Sequence, residues 1–424
     1  MARERWRSRA IHRYDLSERT MPNPPIDLLD LRHYADGPPH ERLRWLRLHD
    51  PVYRHPEPDG PGFWAVTRYD DVVTVSRDPA TFSSFAGGTM IADSPPEFLA
   101  GMQRMMLNMD PPQHTKLRAL VNRAFTPRMV AGLDGRIRAL ARSIVDAIAP
   151  HGACDFVVDV AGELPSYMIA ELVGIPLDDG RRLYALTERM HTARPTPDGI
   201  ADGHAAFGEM MAYATALREA KAMRPGADLA SALLAAEVDG QRLTELEFNM
   251  FFMLLINAGG DTTRNLVAGG MPTLMRHPDA LAAVRADAAL LPSAIEEMLR
   301  YQSPVQHFRR TATRDTELRA RRIAAGDKVV VFYTAANRDE AQFEAPNRFD
   351  VRRAPNEHVA FGGGGTHYCL GANLARLEIR ALFAEVLARL DAIELAGPVE
   401  WLPSTFINGP RRMPVRFTPH DARR

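Results

Sequence analysis

The most informative segment of the chain is Phe361-Gly-Gly-Gly-Gly-Thr-His-Tyr-Cys369-Leu-Gly371. Its consecutive glycines cost backbone entropy, and they are tolerated where a chain must come close to something flat or bulky. Cys369 precedes a predicted amphipathic helix over 371–390, and the start of a helix favours a thiolate. The segment suits a cysteine that faces a large planar ligand, although the residues alone leave a structural thiol, a nucleophile and a metal ligand all open.

Upstream, Ala258-Gly-Gly-Asp-Thr-Thr263 lies midway along a second predicted helix, which begins at a capping box, Thr244-Glu-Leu-Glu247, and ends near 271. Each glycine costs a helix about 1 kcal/mol relative to alanine, so the pair wastes roughly 2 kcal/mol unless another group approaches there. An acid beside an alcohol in apolar surroundings can carry protons. The alternative is a helix kink in which the threonine hydroxyls bond back to the preceding turn.

Two further segments each carry a spaced pair of polar residues. Glu297-Met-Leu-Arg300 lies in a predicted helix that Ser293 caps and that ends near 301; its i, i+3 spacing lets acid and base pair, which on a surface contributes little. His114-Thr-Lys-Leu-Arg118 follows Asp110, a predicted helix N-cap, and its i, i+4 spacing puts imidazole and guanidinium on one face. That face either binds a carboxylate or phosphate or is simply solvated.

The remaining pattern predicts a mainly α protein with a smaller β region. A further helix is predicted over 133–148, and the best strands are 62–67 and 328–333, with 310–318 expected to pair near the second. Pro and Gly occur in short, scattered turn segments, and the sequence contains no repeats or long linkers. This distribution indicates one compact unit over 26–424. Residues 1–25 are predicted to form a polar N-terminal arm, whose ordering the sequence does not determine.

Composition excludes several classes of protein. Hydrophobic residues make up 46% of the 424, and 52 Lys and Arg balance 53 Asp and Glu, so no basic field exists to attract nucleic acid. Two cysteines, Cys154 and Cys369, are too few for a disulfide scaffold, a paired-cysteine zinc site or an iron–sulfur cluster. The longest apolar run, 248–260, is too short to span a membrane, and the N-terminus lacks a secretory signal. A cytoplasmic location is therefore expected.

Together and in this order, the four segments resemble those of a cytochrome P450, and the resemblance runs from about Ile26 to the C-terminus as a single haem domain. The cysteine loop is similar to the family's haem-thiolate signature, and Ala258–Thr263 is similar to its oxygen-activating central helix. Glu297-Met-Leu-Arg300 resembles the family's E-x-x-R motif. The resemblance implies that Arg348, within Pro346-Asn-Arg-Phe349, completes a structural triad with that motif.

The same resemblance implies a role for each site residue. Cys369 would ligate the iron of haem b as a thiolate, which pushes electron density to the iron and favours O–O cleavage. Thr262 would hydrogen-bond bound dioxygen, and Asp261 would pass protons inward. Strand alternation should let only one of Arg309 and Arg310 face the haem. The residues expected to bind the cofactor are His114, Arg118, Ala258, Arg310, Phe361, His367, Cys369 and Gly371.

One departure from the family's pattern concerns the cysteine loop. The signature places Phe seven residues before Cys, where this chain has Gly362, and Phe361 lies one residue further back. We expect a local bulge that leaves Cys369 in place. The departure puts in doubt whether Phe361 packs against the thiolate.

The leading functional interpretation is a monooxygenase that activates O2 and hydroxylates an unactivated C–H bond of a hydrophobic substrate. The alternatives are a peroxide-driven peroxygenase, a haem-based sensor without enzymatic activity, and a cysteine hydrolase that uses Cys369. Asp261 and Thr262 favour the monooxygenase, because neither a peroxygenase nor a sensor needs a proton relay.

The resemblance also implies redox partners. No G-x-G-x-x-G follows a predicted strand and no flavin or ferredoxin module is fused, so electrons would come from NAD(P)H through a separate ferredoxin and ferredoxin reductase. Arg376 and Arg380, on the helix beyond the cysteine loop, are candidates for a basic docking face; two arginines on a helix also fit an ordinary solvated surface.

The substrate segment is predicted from its methionines, which adapt to irregular apolar shapes. Residues 83–110 resemble the family's variable segment over the haem, 404–409 resembles a loop that enters the pocket, and 183–211 is expected to form a mobile lid. Ordinary core packing is the alternative, because Met102, Met105, Met106 and Met109 also fit one helical face. Similarity of 307–318 to an actinobacterial subgroup favours a methyl-branched lipid or isoprenoid, with a sterol or small terpene as the alternative. The predicted pocket residues are Met90, Met105, Met106, Leu255, Phe406 and Ile407.

Overall fold

The structure is a computed structural model that describes residues 26–58, 60–122, 125–192, 196–238 and 240–420. It is mainly helical with small sheets, as predicted; the predicted arm over 1–25 lies outside the described residues. The helices are α1 (His40–His49), α2 (Tyr69–Arg77), α3 (Pro96–Met102), α4 (Gln113–Asn122), α5 (Pro127–Gly132), α6 (Asp134–Ile148), α7 (Glu163–Val173), α8 (Leu177–Thr192), α9 (Pro197–Met223), α10 (Leu229–Ala235), α11 (Glu245–Arg276), α12 (Pro278–Ala286), α13 (Leu291–Gln302), α14 (Tyr333–Ala336) and α15 (Ala372–Arg389).

The largest sheet has five strands in the order β1-β2-β10-β7-β3, and β10 runs parallel to β2 and antiparallel to β7. Smaller sheets pair β11 with β14 and β4, β12 with β13, β5 with β6, and β8 with β9. The strands are β1 (Val52–His55), β2 (Phe63–Val66), β3 (Phe82–Ser83), β4 (Ala153–Asp155), β5 (Glu237–Val238), β6 (Gln241–Arg242), β7 (His307–Ala312), β8 (Thr316–Leu318), β9 (Arg321–Ile323), β10 (Lys328–Phe332), β11 (Leu390–Leu395), β12 (Glu400–Trp401), β13 (Pro410–Arg412) and β14 (Pro414–Pro419).

Helix α11 is the central element, with 32 residues that are buried along most of their length. The predicted capping box is confirmed, since Thr244 Oγ1 accepts from the Glu247 amide at 3.3 Å and the Glu247 carboxylate accepts from the Thr244 amide at 3.0 Å. The helix continues past 271 to Arg276, because Gly270 and Met271 are packed in the core instead of ending the helix. It contacts α7, α8, α9, α13 and α15 and thereby ties the two main apolar clusters together.

Two predicted caps and one predicted strand are wrong in detail. The Asp110 carboxylate accepts hydrogen bonds from the Ser83 hydroxyl and from the Ser84 amide. It therefore anchors the end of β3 instead of capping α4. Helix α13 begins at Leu291, and the Ser293 hydroxyl donates to backbone carbonyls. The predicted strand over 310–318 is divided into β7, which pairs with β10, and β8, which pairs with β9.

Candidate active site

The glycines of the cysteine loop are required by the backbone conformation and by the close approach of α2. Gly362, Gly364 and Gly365 have φ values of 100°, 89° and 74°, which favour glycine. A Cβ on Gly363 would lie 2.5 Å from Ser76 Oγ. The crowding neighbour of Gly363 is therefore α2, whereas a Cβ on Gly371 would meet open space.

Cys369 lies three residues before α15, and its amide donates to the Phe361 carbonyl at 2.9 Å, which closes the loop. The Cys369 residue is accessible, although protein atoms surround most of its thiol. Burial raises the pKa of the Cys369 thiol, while the Gly371 backbone N–H and the Arg118 and Arg376 guanidinium groups lower it. The net effect is a raised pKa, so the helix start alone does not make a thiolate; metal coordination does, because it deprotonates a thiol outright.

Four basic side chains converge beside this loop. The His114 and His367 rings have centroids 4.3 Å apart, and Arg118 Nη1 donates to the Thr366 carbonyl at 2.9 Å. Burial, followed by nearby arginines, lowers the pKa of His114 to about 4, and Arg310 acts on both histidines. Among the described residues, neither Arg118 nor Arg310 forms an ion pair with a carboxylate.

The two neighbouring arginines of β7 point in different directions, which is what strand alternation predicts. Arg309 Nη1 pairs with Asp93 at 2.6 Å and also donates to the Ile91 carbonyl. Arg310 is buried, its Nη1 donates to the Arg309 carbonyl at 2.8 Å, and its charge reaches His114 and His367.

On the central helix, Ala258 and Thr262 share one accessible face within an otherwise buried element. Thr262 Oγ1 donates to the Ala258 carbonyl at 3.0 Å, yet the segment is α-helical throughout. A Cβ on Gly259 would lie 2.7 Å from Ile169 Cδ1, and one on Gly260 would lie 3.0 Å from Tyr184 Cδ2. The absence of side chains on Gly259 and Gly260 therefore lets α7 and α8 pack close to α11. This packing offsets the lower helix propensity of the two glycines.

Sequence reasoning missed the groups that hold Asp261. The Tyr184 hydroxyl donates to Asp261 Oδ1 at 3.0 Å, and Arg264 Nη1 lies 3.9 Å from the same oxygen. Arg264 stacks over the Tyr184 ring at 5.1 Å and reaches Glu188 at 3.6 Å. Burial and the Asp261 carboxylate raise the pKa of Tyr184, so its hydroxyl stays protonated and donates. The signal available in the sequence was Gly260, which requires a close neighbour.

The predicted structural triad is correct in two members and wrong in the third. Glu297 and Arg300 are fully buried and pair at 2.8 Å. Arg353 Nε lies 3.1 Å from Glu297 Oε2, whereas Arg348 is largely exposed and pairs with Asp350. Arg348 misses Glu297 because its side chain is directed to solvent, although its carbonyl accepts from Arg300 and Arg353.

The predicted pocket residues fall into different surroundings. Met105, Met106 and Leu255 are buried in one apolar cluster with the N-terminal half of α11, whereas Met90 is 43% exposed. The four methionines do not share one helical face, because α3 ends at Met102 and a short 3-10 turn follows.

The predicted loop over 404–409 is fastened to the chain ahead of β7. Ile407 pairs with Val305, and the Phe406 carbonyl accepts from the Gln306 amide at 2.8 Å. The Phe406 ring lies 5.4 Å from that of Phe308, centroid to centroid. The lid expected over 183–211 consists of α8 and α9, which pack on each other, with residues 193–195 outside the described part.

These groups fit the haem that the resemblance implies. Cys369 offers one soft sulfur ligand of the kind that binds iron. The unpaired cations Arg118 and Arg310, with the unsatisfied Nδ1 of buried His114, suit the carboxylates of that haem. Leu370, next to Cys369, packs against the apolar cluster that contains Leu255 of α11.

Comparison with known proteins identifies the family of this chain. A family model for cytochrome P450 matches residues 205–399. The cytochrome P450 126 of Mycobacterium tuberculosis is 41% identical over 408 residues, which cover 92% of this chain and 97% of that protein. A methyl-branched lipid omega-hydroxylase of Mycobacterium bovis is 42% identical over 391 residues, which cover 88% of this chain and 90% of that protein.

The solved structure of a Mycobacterium marinum cytochrome P450 in complex with pseudoionone has 40% identity and a TM-score of 0.84, and the match covers 89% of this chain and 94% of the other. Within the described residues, no helix is long and apolar enough to cross a membrane. Identity at this level over nearly the whole length establishes both fold and catalytic class. The chain belongs to the cytochrome P450 family and is a haem-dependent monooxygenase.

Proposed function

We propose that this monooxygenase hydroxylates a methyl-branched lipid or an isoprenoid at an unactivated carbon, with Cys369 as the thiolate ligand of haem b. The observation that carries the proposal is the accessible Cys369, in a loop beside which Arg118 and Arg310 lie without a carboxylate partner among the described residues. The substrate class is supported by the names of two similar proteins, one a methyl-branched lipid omega-hydroxylase and one solved with pseudoionone.

When bound, the haem supplies dioxygen activation, so that one oxygen atom enters a substrate C–H bond. The chain supplies the surroundings. Thr262 holds a hydroxyl at the accessible face of α11, and Asp261, one residue earlier, is a carboxylate that can receive protons from the Tyr184 side. The apolar cluster with Met105, Met106 and Leu255 borders the preceding turns of α11 and would limit water there once substrate is bound.

Arg118, Arg310, His114 and His367 would hold the haem propionates. Burial is the first cause of the lowered pKa of His114, and the charge of Arg118 is the second. A carboxylate placed among these four side chains would favour the charged form of the imidazole. These four residues therefore orient the cofactor, and Gly371, Ala258 and Phe361 border it.

Electrons would come from NAD(P)H through a ferredoxin and its reductase, and a cytoplasmic location is part of the same proposal. The predicted docking arginines are both engaged within the chain. Arg376 pairs with Glu296 at 2.7 Å, and Arg380 lies 3.6 Å from Asp134. Of the two, Arg380 is the more exposed and remains the better candidate for contact with a ferredoxin.

The decisive experiment is a CO difference spectrum of the reduced, purified protein, followed by a screen for ligands that shift the Soret band. A thiolate–CO band is expected, and branched lipids or isoprenoids are expected to shift the Soret band. A shift only with sterols or small terpenes would replace the proposed substrate class, and a CO band of the nitrogen-ligated type would refute Cys369 ligation.

A second measurement separates the remaining alternatives. Product should form with ferredoxin, reductase and NAD(P)H, and much less with hydrogen peroxide alone. Equal rates with peroxide would indicate a peroxygenase, and peroxide release without product for every tight ligand would favour a sensor.

A further inference from the structure

Arg376 is fixed from two sides behind the cysteine loop. It lies in the second turn of α15, and its Nε and Nη2 donate to the two Glu296 carboxylate oxygens at 2.7 Å and 2.8 Å. Its guanidinium carbon lies 4.5 Å from the centroid of the Phe361 ring. A guanidinium that is both bidentate and stacked keeps one position, which a lysine ammonium would not.

The counter-ion of Arg376 is held as firmly as the arginine. Glu296 lies on α13, and its Oε2 is 3.1 Å from Nε2 of the buried His358. Burial would raise the pKa of Glu296, but hydrogen bonds from Arg376 and His358 outweigh it and lower this pKa to about 2. Arg376 and Glu296 are therefore both charged at neutral pH, and α13, the segment before the loop and α15 are joined by them.

The extra glycine of the loop bears directly on this arrangement. It places Phe361 eight residues before Cys369, and the ring lies against Arg376 with His358 and Tyr368 at centroid distances of 5.9 Å and 6.4 Å. The Phe361 carbonyl accepts from the Cys369 amide at 2.9 Å. A single backbone hydrogen bond thus connects Phe361, which stacks on Arg376, to Cys369, which carries the sulfur.

We propose that Arg376 is a positioning residue whose fixed positive charge raises the reduction potential of the haem that Cys369 ligates. The inference rests on the proposed Cys369 ligation and deepens it. Reduction adds one negative charge to the iron–thiolate unit, and a cation held nearby stabilises the reduced form. Glu296 offsets part of this effect. Among the charges that act on the Cys369 sulfur, Arg376 and Arg118 are the cations.

Arg380 provides a matched control. It lies one turn further along α15, is half exposed and has its own acidic partner, Asp134. A docking role would affect Arg376 and Arg380 alike through their surface charge. A tuning role affects only Arg376, because Arg380 has no part in the interactions of Cys369.

The test is a spectroelectrochemical titration of the substrate-free holoenzyme. For Arg376→Gln we expect the equilibrium constant of reduction to fall about tenfold, which for one electron is about 59 mV. Arg376→Lys should lose less, and Arg380→Gln should equal the parent protein. Each variant must first show the thiolate–CO band, so that loss of ligation is detected separately.

The tuning role would be overturned if the equilibrium constant of reduction of Arg376→Gln were within twofold of that of the parent, with the thiolate–CO band intact. The proposed function would still stand in that case. Absence of that band in the parent would end the proposed function instead. If Arg376→Gln does not retain haem, Glu296→Gln decides: removal of the counter-charge should raise the potential, and an unchanged or lower potential refutes the proposal. Equal slowing of ferredoxin reduction at low salt in Arg376→Gln and Arg380→Gln, with equal potentials, would assign both to docking.

Discussion

At the scale of single residues, Cys369 and Asp261 depend on different interactions for their charged forms. Burial raises the pKa of the Cys369 thiol, and coordination to a metal ion would deprotonate it. Asp261 is instead held by hydrogen bonding, with the Tyr184 hydroxyl 3.0 Å from its carboxylate. The first residue depends on the cofactor for its ionised form, and the second depends on a neighbouring helix.

Replacement of Cys369 with Ser should abolish the thiolate–CO absorption of the reduced protein. An alcohol is a much weaker donor to the iron than a thiolate, so electron push to the iron is lost. The measurement is the reduced-CO spectrum, with Cys154→Ser as the matched control. A thiolate band that survives in Cys369→Ser would show that another residue ligates the iron.

Thr262→Ala should retain haem but divert reducing equivalents into hydrogen peroxide, because the accessible hydroxyl on α11 is lost. We expect product per NAD(P)H to fall about tenfold. Thr262→Ser should restore coupling, since it keeps the oxygen. If Thr262→Ala couples as well as the parent protein, the hydroxyl has no part in the reaction.

Tyr184→Phe should lower product per NAD(P)H about threefold, because the Tyr184 hydroxyl no longer donates to the Asp261 carboxylate. The measurement is coupled turnover at neutral pH, with Thr187→Val, on the same helix, as the control. Coupling equal to that of the parent would mean that Tyr184 serves only packing.

At the scale of elements, close approach decides where helices meet. Gly259 and Gly260 let α7 and α8 lie against α11, and Gly363 lets the cysteine loop lie against α2. The segment over 345–356 is fastened to α13 through the buried Glu297 carboxylate, which accepts hydrogen bonds from that segment and from Arg300 of α13 itself. The donors from the segment are the Asp350 amide, Arg353 and Asn356, so its position relative to α13 is fixed at three points.

Arg353→Ala should lower the free energy of unfolding by about 3 kcal/mol, because it removes one cation from a fully buried carboxylate. Arg348→Ala, the matched control, should change it far less, since its ion pair with Asp350 is exposed. Denaturation followed by circular dichroism measures both. A larger effect at Arg348 than at Arg353 would restore the triad that the sequence predicted.

At the scale of the whole molecule, two apolar clusters meet on α11, and α15 packs against that helix with an ionisable group that is also buried. Glu378, on α15, is buried with one carboxylate oxygen that has no hydrogen-bond partner among the described residues, and burial raises its pKa to about 8. A carboxyl group of this kind is stable when neutral and costly when charged.

Stability should therefore fall as pH rises from about 4.5 to about 8 because of Glu378. The native state keeps a proton there that the unfolded chain has lost, so the stabilisation is complete below the unfolded pKa and is gone above the folded one. Because Gln has no proton to lose there, the unfolding free energy of Glu378→Gln relative to that of the parent should rise by a few kcal/mol across that interval. A difference that stays constant with pH would show that Glu378 is ionised or solvated.

Much of the fold follows from local chemistry. The Thr244 capping box, the helix over 134–148 and the strands β2 and β10 are visible as patterns because their signals lie within a few residues. The ends of elements were less predictable, as Asp110 and Ser293 show, since their side chains found partners distant in sequence.

By itself, the sequence determined the cysteine, the acid–alcohol pair and the family they indicate, because each motif is contiguous and its chemistry resides in residue type. Only the tertiary structure decided which groups surround them: Tyr184 at Asp261, Arg353 at Glu297, and Arg376 on Phe361. Such contacts join residues on separate elements. They depend on how helices and loops pack in three dimensions, which no local pattern records.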